Sequence, residues 1–334
     1  MIFRRAVFVA ALSALVCACS PARKAAAPVA QTEIRFATDW RAQAEQGGFY
    51  QAVATGEYIK RGLDVRIIQG GPGVNVPQLL AAGAVDAGMG SNSFIALNMA
   101  NEGVPVRAVA AMMQKDPQVL IAHPDQGIEK IEDLKGHPIL LSDASVSAFW
   151  VWLKSKYGFS DHQVRKYTFN SAPFLADKSV AQQGYVTSEP YTLEKEAQLK
   201  AKVFLLADNG YPSYATMILF PQSRIDKNPA VVKAFVEASA AGWKSYLHGD
   251  PGPGDALIRK DNPEMTQDVL DQAREKMRSY GIVDGGDAAA GGIGVMTAAR
   301  WADFAKIAVD QGVYPKTLDV SKAYTLQFVS PPAK

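Results

Sequence analysis

The chain has 334 residues, 48% hydrophobic and 20% charged, a globular composition with length for one large domain or two lobes. Lysine plus arginine total 35 and aspartate plus glutamate 33; setting aside residues 1–19, which hold Arg4 and Arg5 and no acid, leaves 33 against 33. That balance gives no electrostatic case for nucleic acid or for a polybasic membrane surface.

At the N-terminus, MIFRRAVFVAALSALVCACS sets two arginines ahead of fourteen apolar or small residues, 6–19. This is the pattern of an export signal, too short to span a bilayer comfortably. The only cysteines, Cys17 and Cys19, lie inside it. Val16-Cys17-Ala18-Cys19 resembles a bacterial lipobox, which implies cleavage before Cys19 and its acylation. The alternative is cleavage after Ala25-Ala26-Ala27 and release of a soluble protein. The Pro/Ala-rich residues 20–32 read as a tether. Without a later cysteine, neither disulfides nor thiol chemistry enters the function of the body.

The body alternates strand-like and helix-like runs. RFAT (35–38) precedes a helix expected from Phe49 to Lys60, and LDVRIIQ (63–69) is a strand. Asn75 caps a short helix with Pro77 in its first turn and Gly83 beyond its end. VDAGMG (85–90) is a buried strand, SNSFIALNMANEG holds a helix, and VRAVAAMM (106–113) and VLIAH (119–123) are strands. The pattern then restarts with a strand at Ile139–Leu141 and a helix carrying Val146, Phe149, Leu153 and Tyr157, ended by Gly158. TMILFP (216–221) reads as a return strand, and 228–246 places Val232, Phe235, Val236, Ala240 and Trp243 on one helical face, continued by Leu247. The remainder reads as helical to about 328.

Strands alternating with helices predict an α/β fold of largely parallel sheets. The chain is expected to cross between two lobes near 122–125 and 207–215. The resulting cleft would be lined by strand ends and helix starts.

DW…GGFYQAVATGEYIKRGLDVRIIQGGPGVN (39–75), QLLAAGAVDAGMGS (78–91) and NPAVVKAFVEASAAGWKSY (228–246) resemble the type II periplasmic solute-binding proteins of ABC importers. The likeness is nearest to the branch binding thiamine-precursor pyrimidines, sulfonates and taurine, and covers most of 33–328. It implies a two-lobe type II periplasmic binding fold with mixed, mostly parallel sheets. The expected organisation is a signal peptide at 1–18, a lipidated tether at 19–32, a first lobe of 33–122 plus 212–330, and a second lobe of 123–211. The resemblance also implies a monomer in the periplasm, anchored through Cys19, that hands a small molecule to ABC permease subunits. The DW opening is nearer to the pyrimidine binders.

Trp40 and Asp39, at a strand end, lead the candidate site: an indole face stacks on a flat ring and a carboxylate accepts from ring amino groups. Trp40 packing under the next helix is the plainer alternative. Gly48, beside Gly47 and ahead of Phe49 and Tyr50, either brings backbone amides to a ligand or makes a turn. Asn75, Ser91, Asn92 and Ser145 stand at helix starts, where capping and ligand contact are both open. Asn170, Glu189, Tyr191 and Tyr214 complete the set from the second lobe and the return crossing. This census of acids, amides and aromatics favours a nitrogen heterocycle over a sulfonate, which would want an arginine. Taurine or alkyl sulfonates on the same fold are the first alternative, and an enzyme of thiamine-pyrimidine synthesis the second. The relatives that make the pyrimidine carry a cysteine-rich motif absent here. No cofactor or metal is expected, because His123, His137, His162 and His248 lack metal-ligand spacing and neither GxGxxG nor GxSxG occurs in context.

Overall fold

The structure, a computed structural model, describes residues 1–2, 31–71 and 73–329. The expected leader, Cys19 and nearly all of the tether lie outside the described residues. The first lobe opens with β1 (Thr32–Ala37), α1 (Gly47–Ala54), β2 (Leu63–Ile68), α2 (Val76–Ala81), β3 (Ala87–Asn92), α3 (Ser93–Asn101) and β4 (Val106–Met113). The second holds β5 (Gln118–Ala122), β6 (Ile139–Leu141), α4 (Asp143–Val146), α5 (Phe149–Tyr157), β7 (Val164–Lys166), α6 (Ala172–Ala176), β8 (Ala181–Tyr185), α7 (Glu189–Ala197) and β9 (Lys202–Leu205). The chain then returns through β10 (Ala215–Pro221), α8 (Gln222–Lys227), α9 (Pro229–His248), α10 (Gly252–Asp261) and α11 (Gln267–Ser279), and ends with α12 (Ala288–Gly291) and α13 (Ala298–Asp310).

Two five-stranded sheets result, ordered β2-β1-β3-β10-β4 and β7-β6-β8-β5-β9. In each, four strands run one way and one, β10 or β5, runs against both neighbours. The α/β reading and the return strand hold. One boundary moves: β5 was expected to close the first lobe at residue 122, yet it pairs with β8 and β9 in the second sheet. The first crossing is therefore the four residues 114–117, and the second runs from 206 to 214. The helix expected to reach Lys60 stops at Ala54, because Gly56 takes φ 71° and turns the chain into a short 3-10 segment.

Helix α9 buries the expected stripe of Val232, Phe235, Val236, Trp243 and Leu247 against α1 and the first sheet. Full burial of each such side chain contributes about 1.5–3 kcal/mol. Phe235 lies 5.2 Å from Phe36 and Trp243 lies edge-on 6.0 Å from Phe49. The glycines of α1 exist for this contact. A Cβ on Gly48 would stand 2.1 Å from the Trp243 ring, and one on Gly242 would stand 2.2 Å from the Gly48 carbonyl oxygen. Gly48→Ala is accordingly expected to destabilise the protein by about 1–3 kcal/mol, since the two helices must part to admit a methyl group. Urea denaturation would show this, and an unchanged midpoint would contradict it.

Behind α9, Arg274 of α11 meets Asp255 of α10 at 2.7 and 2.8 Å, with Asp255 0% and Arg274 4% exposed. The Tyr246 hydroxyl adds a 3.0 Å bond to the same carboxylate.

At the crossings, α13 packs against both α3 and α5 and so touches both lobes. Its Arg300 donates to the carbonyls of Pro212 (2.8 Å), Ser213 (2.9 Å) and Gln114, tying the two crossing segments to one helix. The Tyr214 ring lies 4.0 Å beneath that guanidinium, and its hydroxyl donates to Asp287 while accepting from the Thr297 N–H. A residue so placed is hinge packing, and Tyr214 is engaged by Arg300, Asp287 and Thr297 in place of the expected ligand.

Candidate functional site between the lobes

The segment after β1 is held rigidly. Thr38 Oγ1 donates to the Trp40 carbonyl at 2.9 Å, and the Gly70 N–H donates to that carbonyl at 3.0 Å and to Thr38 Oγ1 at 3.2 Å. This fixes the direction of Asp39 and Trp40. Ser91, near the end of β3, donates to Asp39 Oδ2, while Asp39 Oδ1 is buried with no protein partner. From the second lobe Phe169 reaches the Trp40 ring at 5.0 Å, an inter-lobe aromatic contact. Phe169 is 51% exposed and sits at φ 60°, a conformation that costs a non-glycine residue on the order of 1–3 kcal/mol.

Beside this pair lies a cluster that sequence reasoning missed. Glu45, 3% exposed, accepts from the Thr187 hydroxyl across the cleft, and Gln272 donates to the Thr187 carbonyl. Gln46 is 2% exposed and its Oε1 has no protein partner. Glu189, at the start of α7, accepts from the Tyr185 N–H at 2.7 Å.

Burial holds Asp39 and Glu45 above the usual carboxylate range, with the Asp39 charge adding to Glu45, and raises Glu189 to about 7. Asp116, in the first crossing, is also raised to about 7 by burial. Tyr185 marks where these acids converge: its hydroxyl is pushed well above its ordinary value by burial first, then by the charges of Asp116, Asp39, Glu45 and Glu189. Arg300 acts on Asp116, whereas no lysine or arginine is among the main influences on Asp39, Glu45 and Glu189.

The other candidates divide. Tyr191 lies at the mouth, where its hydroxyl and Lys195 both meet Asp268 of the first lobe. Asn92 caps α3 by accepting from Phe94 N–H, and Ser145 bonds Ser142 at the start of α4. Asn75 and Asn170 are exposed, their side chains accepting from Gln78 and Ala172 N–H groups. Two are corrected. Gly48 serves helix packing, and Tyr50 is 2% exposed with its hydroxyl on Asp261, because α1 turns that face into the first lobe.

Glu45 and Gln46 look like an ordinary surface helix start, and only their place just before Gly47-Gly48 hinted otherwise. Phe169 closes KYTF one residue before Asn170, and nothing in the sequence shows that its ring meets Trp40.

A family model described as NMT1/THI5 like matches residues 43–252. The riboflavin-binding protein RibY of Chloroflexus aurantiacus is 25% identical over 339 aligned positions, covering 94% of each chain. Among solved structures, the periplasmic aliphatic sulphonate binding protein SsuA of Escherichia coli superposes with TM-score 0.67 at 16% identity, covering 90% of this chain and 94% of that one. The alkanesulfonate-binding protein SsuA of Xanthomonas axonopodis pv. citri, bound to MOPS, gives 0.65 at 15%, covering 90% and 99%. At these identities the two structures speak to the fold alone. Among the described residues no helix is long and apolar enough to cross a membrane, and no group of three potential metal ligands occurs.

Proposed function

The chain belongs to the NMT1/THI5-like family of solute-binding proteins, and from that premise we propose that it captures a flat nitrogen heterocycle between its lobes for the permease of an ABC importer. The observation that carries this reading is the pairing of Trp40 and Phe169 across a cleft whose buried side chains offer acceptors. The two rings touch each other at 5.0 Å, and a ligand ring that parts them would gain an aromatic face from each lobe. Asp39 and Glu189 suit its N–H groups. Closure would bury the ring and present a composite surface, including the Tyr191–Asp268 contact, to the permease. Periplasmic residence, anchoring through Cys19 and a monomeric state belong to the same proposal, as does the absence of a catalytic step.

The ring we favour is the aminopyrimidine of thiamine precursors. The isoalloxazine of riboflavin, the ligand in the name of the Chloroflexus relative, is the nearest competitor. A sulfonate is the second reading, motivated by the ligands of the two solved neighbours. It would place an anion among buried carboxylates, at a high desolvation and repulsion cost.

Thermal melting with 4-amino-5-hydroxymethyl-2-methylpyrimidine, thiamine, riboflavin, taurine and alkyl sulfonates separates these readings. A ligand at one hundred times its Kd adds about 2.7 kcal/mol. Trp40→Ala is expected to weaken the stabilising ring compound by roughly tenfold to a hundredfold, the scale of one stacking contact at about 1–3 kcal/mol. Full affinity in that variant, or stabilisation by sulfonates alone, would sink the heterocycle reading.

A further inference from the structure

We propose that the heterocycle is taken as a cation, its positive charge and N–H groups meeting Asp39 and Glu189 as the lobes close. This rests on the heterocycle reading above and adds the charge of the solute. Two observations carry it together. The first is a set of acids with no counter-ion: the strongest influences on Asp39, Glu45 and Glu189 are burial, hydrogen bonds and one another. The second is independent of charge. Gln46, 2% exposed, reaches Asp39 with its side chain, yet Gln46 Oε1 and Asp39 Oδ1 are each left as buried acceptors with no hydrogen bond of their own. Buried acceptors are costly unless a donor answers them.

The nearby cations are committed elsewhere. Arg300 holds three carbonyls at the crossings and faces Asp287, Lys195 sits on Asp268 at the mouth, and Arg41 points to Glu264 on the exposed rim. An N–H-bearing cation therefore satisfies the orphaned acceptors and neutralises the acids in one step. An isosteric neutral ring does only the first.

Facing Glu189 are Tyr185 of β8, Tyr167 after β7 and Glu45 of the first lobe; facing Asp39 are Ser91, Gln46 and Glu45. With Glu189 raised to about 7 by burial, its attraction for a cation grows as pH rises through that value. The preference for a cation over its neutral isostere should therefore be largest at pH 8 and small at pH 5.5.

The test compares 4-amino-5-aminomethyl-2-methylpyrimidine, an alkylammonium, with the 5-hydroxymethyl compound, which is neutral at pH 8 and takes a ring proton toward pH 5.5. Titration calorimetry at both pH values reads the ratio of their affinities. At pH 8 the ammonium compound is expected to bind about tenfold tighter, the margin of a charge-assisted over a neutral hydrogen bond. That ratio should shrink at pH 5.5 and in Asp39→Asn and Glu189→Gln. The wild-type ratio at pH 8 decides alone if a variant fails to fold. Equal affinities, tighter binding of the hydroxymethyl compound, or silence from both would overturn the cation assignment. The first two results would leave the heterocycle reading standing. Silence from both with a response to riboflavin would do the same, while a response to sulfonates alone would remove both.

Discussion

Arg274→Ala is expected to cost about 3–5 kcal/mol of folding stability, the largest single loss among the substitutions considered. The variant strands Asp255, which is 0% exposed, and removes the guanidinium stacked 5.1 Å from the Tyr246 ring centroid. Much of that cost is the penalty of leaving a buried charge unpaired. The double replacement Asp255→Leu with Arg274→Met removes both charges and is expected to recover most of it. Equilibrium urea denaturation of the three proteins measures the difference. A single variant as stable as wild type would mean that water reaches Asp255 once the guanidinium is gone. The pair ties α10 to α11, whose Gln272 and Asp268 meet Thr187 and Tyr191 of the second lobe, so ligand affinity in the folded fraction is expected to fall as well.

The second large effect has the opposite sign. Asp116→Asn is expected to stabilise the protein by roughly 2–4 kcal/mol at pH 8 and by almost nothing at pH 4. Asp116 is 4% exposed and burial raises it to about 7 from 3.8. A carboxyl whose folded value lies above its unfolded value contributes most to stability below the unfolded value. That contribution is lost as pH climbs through the folded one. Between about 4 and 7 the wild type should therefore lose stability with rising pH, through this group, at up to 1.4 kcal/mol per pH unit. Asparagine keeps an acceptor for the Gln118 N–H, which Asp116 now binds at 3.1 Å, and never pays to ionise. Denaturation midpoints of both proteins from pH 4 to 8 would test the claim, and parallel curves would refute it.

Much of the architecture was legible because it is written in local periodicity. The 3.6-residue stripe in 229–248 and the capped turn at Asn75 need no knowledge of distant residues. The crossing at 114–117 was not legible: a four-residue link after an apolar strand looks the same whether the next strand joins that sheet or another. At the site, Asp39, Ser91 and Glu189 were reached by following strand ends and helix starts, which is where an open α/β fold gathers its polar groups. The misreadings share a cause. Gly48, Tyr50 and Tyr214 each answer to a partner far along the chain, Trp243, Asp261 and Arg300 respectively, and a glycine or tyrosine does not display its partner in the sequence. Glu45 and Gln46 were missed for the converse reason: solvated acids and amides are commonplace on helix starts, and these two are buried by partners distant in the chain, among them Thr187 and α11.

The place of β10 has a consequence for how the chain acquires its structure. β10 lies between β3 and β4, so β4 has no strand beside it on that side until residues 215–221 are available. The second sheet, by contrast, is drawn wholly from residues 118–205 and is continuous in the chain. Assembly should thus run from the inside outward, with the inserted lobe able to form first and the outer lobe waiting on pairings more than one hundred residues apart, of the slow, non-local kind. A fragment ending before 215 would be left with two exposed strand edges where β10 belongs. Such a delay would keep the outer lobe open until the last third of the chain is available to it.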